Sequence, residues 1–347
     1  WTVHRRYDFK NPRPTIAQDT DRFAMLDDRV GLRLSSGWEG SPHHRPELTL
    51  EGHFEKALTR GESQRNERRL SGGITAGWSV YPTRSLTLIG LVRVDDAEGR
   101  EPVWVPKTGF RYGPLPFLHV NGNLGTLFRD PSFDELFFKG VGLSGNPNLR
   151  YEWGVGADLG FVLDLKEWVM GALELSSGIF WQDYQRLILF VPIDAYRIQA
   201  KDDFGALVWG VENGLRWSGS NIKLRGTHLY QQAAFQGAQQ GPLPLRPRNR
   251  FRGDLHWHLF GALEIFADVL IQEGMTSDRY GVRSLSGYTL TGAGTAVQRY
   301  GFRLSAESRN LLDQRGLYDA VHQPLPGRLF IVQLSWTNDS SGRGAFE

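Results

Sequence analysis

Gly261-Ala262-Leu263-Glu264-Ile265-Phe266-Ala267-Asp268-Val269-Leu270-Ile271-Gln272 is the stretch on which the fold turns. Successive side chains of an extended chain point to opposite faces. Leu263, Ile265, Ala267, Val269 and Ile271 therefore share one side, against Glu264, Phe266, Asp268 and Gln272 on the other. The same period of two recurs elsewhere. Leu48, Leu50, Gly52 and Phe54 oppose Glu47, Thr49, Glu51, His53 and Glu55. Tyr300, Phe302, Leu304 and Ala306 oppose Arg303, Ser305, Glu307 and Arg309, and Phe330, Val332, Leu334 and Trp336 oppose Gln333 and Ser335. One alternating strand fits a soluble sandwich equally well. Length discriminates, because many of these segments run to about 10 residues, the span a tilted membrane strand needs, rather than the usual 5–6.

The connections carry the second signal. About sixteen strands are expected, from 1–9 to 328–336. Short turns are predicted at Tyr81-Pro82-Thr83, Gly113-Pro114, Asp164-Leu165-Lys166, Ser218-Gly219, Phe260-Gly261 and Gln298. Between them lie long polar stretches at 10–27, 58–67, 128–149, 183–203, 233–249, 273–286 and 310–327. Alternation of short turns with long loops is the pattern of an antiparallel barrel crossing an outer membrane. Trp38, Trp78, Trp168, Trp181, Trp217, Trp257, Tyr300 and Trp336 are predicted near strand ends, where amphipathic rings sit at the headgroup level.

Composition narrows the remaining classes. Among 347 residues, 40 Lys and Arg balance 38 Asp and Glu, so no nucleic-acid partner is expected. With no cysteine there is no disulfide framework, thiolate site or cysteine nucleophile. No apolar run approaches the roughly 18 residues of a membrane helix. The chain starts at Trp1 with no Met or apolar leader, so a signal peptide is expected to have been removed or to lie outside this sequence. No repeat of fixed period and no low-complexity linker divides it. The expected organisation is a barrel over 1–336 and a polar tail over 337–347.

Four motifs then resemble one family. Phe128-Arg129-Asp130-Pro131-Ser132-Phe133-Asp134-Glu135-Leu136-Phe137 is similar to the F-R-x-P-S-F-x-E-L-Y segment of TonB-dependent outer-membrane receptors. Gly145-Asn146-Pro147-Asn148-Leu149-Arg150-Tyr151-Glu152 resembles their G-N-P-x-L-x-P-E, with Tyr151 in place of Pro. Leu243-Pro244-Leu245-Arg246-Pro247-Arg248-Asn249-Arg250 matches L-P-x-R-P-x-H/N. Asn310-Leu311-Leu312-Asp313 with Pro326-Gly327-Arg328 resembles N-L-x-D … P-G-R before the last strand. The motifs follow the family's order across 115–336. The resemblance implies the C-terminal part of a barrel of roughly 22 strands around a plugged lumen. The plug, and the segment that the TonB protein grips, are not in this sequence, and further strands are expected before Trp1.

The residues of these motifs read better as loop anchors than as ligand contacts. Pro131, Pro147 and Pro326 end strands, Gly145 and Gly327 allow sharp turns, and Arg129, Glu135 and Arg328 are suited to charged hydrogen bonds at the rim. Phe128, Ser132, Phe133, Asn146, Asn310 and Asp313 complete the anchor set. Ligand contacts are expected on loops, at Arg129, Asp134, Tyr196, Arg197, Tyr280 and Tyr318. No catalytic set, metal site or cofactor is expected. His256 and His258 lie two apart and both face the lumen, as polar residues of a barrel strand do, and Glu174, Glu212 and Asp268 are expected to pair with Arg225 and Arg252 or to line a wet cavity. The resemblance implies TonB-driven uptake, across a Gram-negative outer membrane, of a scarce iron-siderophore, haem, cobalamin or glycan. Outer-membrane lipid and the TonB complex are the expected partners. A plugless pore or structural subunit is the alternative, since a sheet of about sixteen strands can close on itself.

Overall fold

A computed structural model describes residues 2–10, 22–60, 65–97, 99–140, 142–165, 171–194, 196–237, 240–259, 261–278, 280–315 and 326–337. Tyr318, Trp168, Lys166 and the tail beyond Thr337 lie outside the described residues. Sixteen long strands are present, as the alternation requires. The first eight are β1 (Thr2–Lys10), β2 (Arg22–Gly37), β3 (His44–Arg60), β4 (Arg65–Thr83), β5 (Leu86–Ala97), β6 (Val103–Leu115), β7 (Leu118–Arg129) and β8 (Glu152–Asp164). They are followed by β9 (Ala172–Pro192), β10 (Ile198–Ser218), β11 (Ile222–Phe235), β12 (Asn249–Leu259), β13 (Leu263–Glu273), β14 (Tyr288–Arg299), β15 (Phe302–Arg309) and β16 (Leu329–Trp336). One short helix, α1 (Phe133–Phe137), sits in the β7–β8 connection.

Each long strand pairs antiparallel with its sequence neighbour, β1 with β2 through to β15 with β16. The one parallel contact among the described residues joins Leu143–Ser144 to Ile198–Gln199. Among the described residues, β1 and β16 do not pair with each other.

The two faces of the sheet invert the soluble rule. Leu48, Leu50 and Phe54, then Phe302 and Leu304, stand exposed on one face, as do Val332 at 73% and Leu334 at 67%. Glu55 and Glu264 on the other face are buried. Exposed leucine, valine and tryptophan over a whole sheet face make it a lipid-facing wall. The wall is that of a transmembrane antiparallel β-barrel. No helix of the described residues is long and apolar enough to cross a membrane.

Several boundaries differ from the sequence-based expectation. The stretch 183–203, expected as a loop, is mostly strand: β9 runs on to Pro192 and β10 begins at Ile198. β2, β3 and β4 also extend past their expected ends. Beyond the membrane both faces meet water, so a ladder needs no apolar alternation to persist. Trp181 accordingly lies mid-strand. The turn expected at Gln298 falls at Tyr300-Gly301, with φ of 53° and 80°, the left-handed pair of a type I′ hairpin. The turns expected at Tyr81-Pro82-Thr83 and Gly113-Pro114 lie at 84–85 and 116–117.

Candidate functional site

The β7–β8 connection builds one side of the site. Ser132 caps α1: its hydroxyl accepts the Glu135 N–H while the Glu135 carboxylate accepts the Ser132 N–H at 2.8 Å, a reciprocal capping box. Arg129, the last residue of β7, donates to both Glu135 oxygens at 2.8 Å and to Glu152 Oε2 at 2.7 Å. Glu152 Oε1 accepts the Ile188 N–H at 3.0 Å, so one carboxylate ties β7, β8 and β9. These bonds raise the Arg129 guanidinium, with the Glu152 bond foremost. Burial alone would push Glu135 up, but the bonds from Arg129 and Ser132 outweigh it and leave it below the usual carboxylate range. Tyr151, where the family has Pro, packs against Phe128 with ring centroids 5.5 Å apart, beneath the Arg186 guanidinium at 4.4 Å.

From this base α1 reaches two walls. Phe133 is buried against Ala57 of β3, and Arg69 of β4 lies over its ring at 5.0 Å. Arg69 Nη1 donates to the carbonyl of buried Pro131 at 2.8 Å, while Arg69 and Arg29 both pair with Glu55, which is fully buried. On its other side Leu136 packs with Leu149 of the same connection and with Ile188 and Ala200 of the β9–β10 hairpin. Gly145 is required there, since a Cβ would lie 2.6 Å from the Leu136 carbonyl carbon. The Gly145 N–H donates to Phe138 O, and that of Asn146 to Glu135 O. Asn146 Oδ1 accepts the Asn148 N–H across Pro147.

The last motif closes on itself in the same manner. Asn310 Nδ2 donates to the Gln314 and Pro326 carbonyls, and Asp313 Oδ1 accepts the Arg328 N–H at 3.0 Å. Arg328 anchors through its backbone, not through the guanidinium expected from the sequence. A Cβ on Gly327 would meet Asp313 Oδ1 at 3.0 Å.

Beside the Arg129 and Glu152 anchor lies a cavity of about 1610 Å³. Its apolar wall joins Phe180, Tyr184 and Leu189 to a buried cluster of Val191, Phe204, Val208, Phe235 and Leu243. Its polar wall includes Arg246, Arg250 and Arg252. Among the described residues none of the three has a carboxylate or side-chain hydrogen-bond partner, unlike Arg129. Asp158, on the same wall, accepts from Asn123 at 2.9 Å. Asp278 is occupied by its own loop, accepting the N–H groups of Arg283 at 2.6 Å and Tyr280 at 2.8 Å. The Arg283 N–H foremost holds its carboxyl below the usual range.

The expected contact residues do not form one group. Arg129 and Tyr280 line the cavity. Asp134 sits in the first turn of α1. Tyr196 and Arg197 occupy the tip of the β9–β10 hairpin, where Asp194 Oδ1 accepts both N–H groups and Asp194 Oδ2 binds Arg197 Nε at 2.6 Å. Sequence reasoning missed Arg246 and Arg250 as cavity residues, although parity alone puts Arg250 on the lumen face; Arg252, expected there beside a carboxylate, lines the cavity without one among the described residues. Glu174 pairs with Arg216 rather than with Arg225. His256 Nδ1 lies 2.6 Å from Glu264 Oε1, whose other oxygen binds Arg303. Among the described residues no three His, Cys, Asp or Glu form a metal-holding group.

The chain matches the model of the TonB dependent receptor-like β-barrel over residues 5–311. No curated protein matches it. A variant of the ferric enterobactin receptor PfeA of Pseudomonas aeruginosa superposes with a TM-score of 0.70 at 18% identity, over 90% of this chain and 54% of that one. The copper transporter OprC gives 0.72 at 16% identity, over 91% and 57%. The siderophore receptor PirA of Acinetobacter baumannii gives 0.69 at 13%, over 91% and 55%. The chain thus spans a little over half the length of each of these structures, and at such identities the likeness is one of fold.

Proposed function

Since the chain belongs to the TonB-dependent receptor β-barrel family, we propose that it forms the ligand-binding part of a barrel for TonB-driven uptake of a bulky anionic ligand across a Gram-negative outer membrane. The observation that carries the reading is the cavity of about 1610 Å³ with three unpartnered guanidiniums on one wall and an aromatic and aliphatic surface on another. Guanidiniums left without carboxylates favour an anion, through charge-assisted bonds. The apolar wall favours a ligand with a flat or greasy body. Together they support a ferric siderophore or haem over neutral cobalamin or a neutral glycan. The neighbours' printed roles, ferric enterobactin and siderophore reception, agree with that choice. The unpaired sheet edges support a wall completed by further strands more than a self-closed pore of sixteen.

Ferric tris-catecholate binding to the complete receptor tests the reading. Arg250→Ala and Arg252→Ala are each expected to weaken it about tenfold, from the loss of one charge-assisted contact. Tight binding of a neutral glycan, indifferent to both substitutions, would contradict it.

A further inference from the structure

Glutamate and aspartate line the cavity at Glu152, Asp158, Glu212 and Asp278. Three of these carboxylates are occupied: Glu152 by Arg129 and the Ile188 N–H, Asp158 by Asn123, and Asp278 by the N–H groups of its own loop. Glu212 of β10 is exposed to the lumen, and among the described residues it has neither an ion-pair nor a hydrogen-bond partner.

The wall around Glu212 is almost bare backbone. Gly210 and Gly214 stand two residues away on the same strand, and residues two apart share a face. Across the ladder Glu212 pairs with Gly178 of β9, which pairs in turn with Gly160 of β8. All four glycines thus face the lumen beside the carboxylate. Glycine inside a strand weakens it, and often marks a place where another group approaches the backbone closely.

Two side chains lean over this floor. A Cβ on Gly210 would lie 2.7 Å from Phe180 Cζ, so the Phe180 ring covers the row above Glu212. A Cβ on Gly214 would strike the Ser176 hydroxyl, which covers the row below. A carboxylate, an aromatic ring and a hydroxyl oxygen each attract an ammonium group. The guanidiniums are close by. Glu212 shares its row with Leu229 of β11 and then Arg250 of β12. Two strand spacings separate Glu212 from Arg250, about 10 Å between backbones, and the two side chains do not pair.

Resting on the reading of this cavity as an anion site, we propose that Glu212, Phe180 and Ser176 form a second subsite, for an ammonium carried by the same ligand. The ligand is then zwitterionic. Its anionic part meets Arg250, and its ammonium meets Glu212 over the glycine floor. An amine-bearing ferric siderophore fits that description; haem, which carries carboxylates and no ammonium, does not.

Two ferric tris-catecholates that differ at one position, a free primary amine or its acetamide, test the subsite. Each is titrated into the complete receptor and followed by quenching of tryptophan fluorescence. The amine form is expected to bind about tenfold tighter, the worth of one charge-assisted contact. Glu212→Gln is expected to abolish that preference and leave the affinity for the acetamide form unchanged, which also shows that the barrel is folded. Arg250→Ala is expected to weaken both forms. Equal binding of the two forms, or a preference that survives Glu212→Gln, overturns the subsite while the anion site stands. If neither form binds, or binding ignores Arg250→Ala, the anion reading falls and the subsite with it.

Discussion

Glu152 shows how much one side chain can organise. It takes the Arg129 guanidinium with one oxygen and the Ile188 N–H with the other, holding the rim of three strands. Glu152→Ala is expected to cost about 1–2 kcal/mol, discounted because Arg129 is partly exposed. It should also raise amide exchange across 130–150 and at Ile188, and unchanged exchange would remove Glu152 from the rim. Asp278 plays a similar part in its loop. A carboxyl whose folded pKa is depressed contributes order above its ordinary range near pH 4 and loses it as pH falls through the lowered value. Asp278→Asn imitates the acid form at neutral pH, so faster exchange is expected at Tyr280, Val282 and Arg283. Glu152 stood inside a motif quoted from the sequence, yet its role was illegible there, because Ile188 lies 36 residues away and only the register of β8 against β9 joins them. The motif's Arg129 and Glu135 were legible as rim anchors, since opposite charges in one loop motif suit charge-assisted hydrogen bonds; the helix α1 between them was not.

At the scale of the element, α1 is a crossbeam between the β3–β4 wall and the β9–β10 hairpin. Its hold on the first wall depends on Glu55, the buried partner of Arg29 and Arg69. Glu55→Ala strands Arg69, which is only 8% exposed, and is expected to cost about 3 kcal/mol. Proteolysis within 130–150 should accelerate; resistance equal to wild type would show that α1 holds without the ion pair. A second element, the β14–β15 turn, sets a tyrosine at φ 53°. A bulky residue in that region costs about 1–2 kcal/mol, and asparagine tolerates it. Tyr300→Asn is therefore expected to raise the denaturation midpoint in micelles, and a lowered midpoint would show that the turn is not strained. Strand centres were legible in the sequence because lipid demands an apolar residue at every second position. Strand ends were not. Past the membrane the hydrogen-bond ladder continues with no constraint on side-chain polarity, as in 183–192 and 198–203.

For the whole molecule the central claim is inversion: greasy side chains outside, charged ones within. The alternation of turns and loops, the aromatic levels and the buried lumen carboxylates all follow from it. So does the cavity, whose Arg250 and Arg252 face inward because Phe251 faces out. The absence of native cysteine makes the chain suited to a direct check. Single substitutions Asp254→Cys, Leu255→Cys, Asp268→Cys and Val269→Cys, each carrying a nitroxide label in liposomes, would be read by collision with oxygen and with a water-soluble nickel chelate. Oxygen is expected to dominate at 255 and 269 and the chelate at 254 and 268. Equal access of the chelate at all four positions would contradict the account.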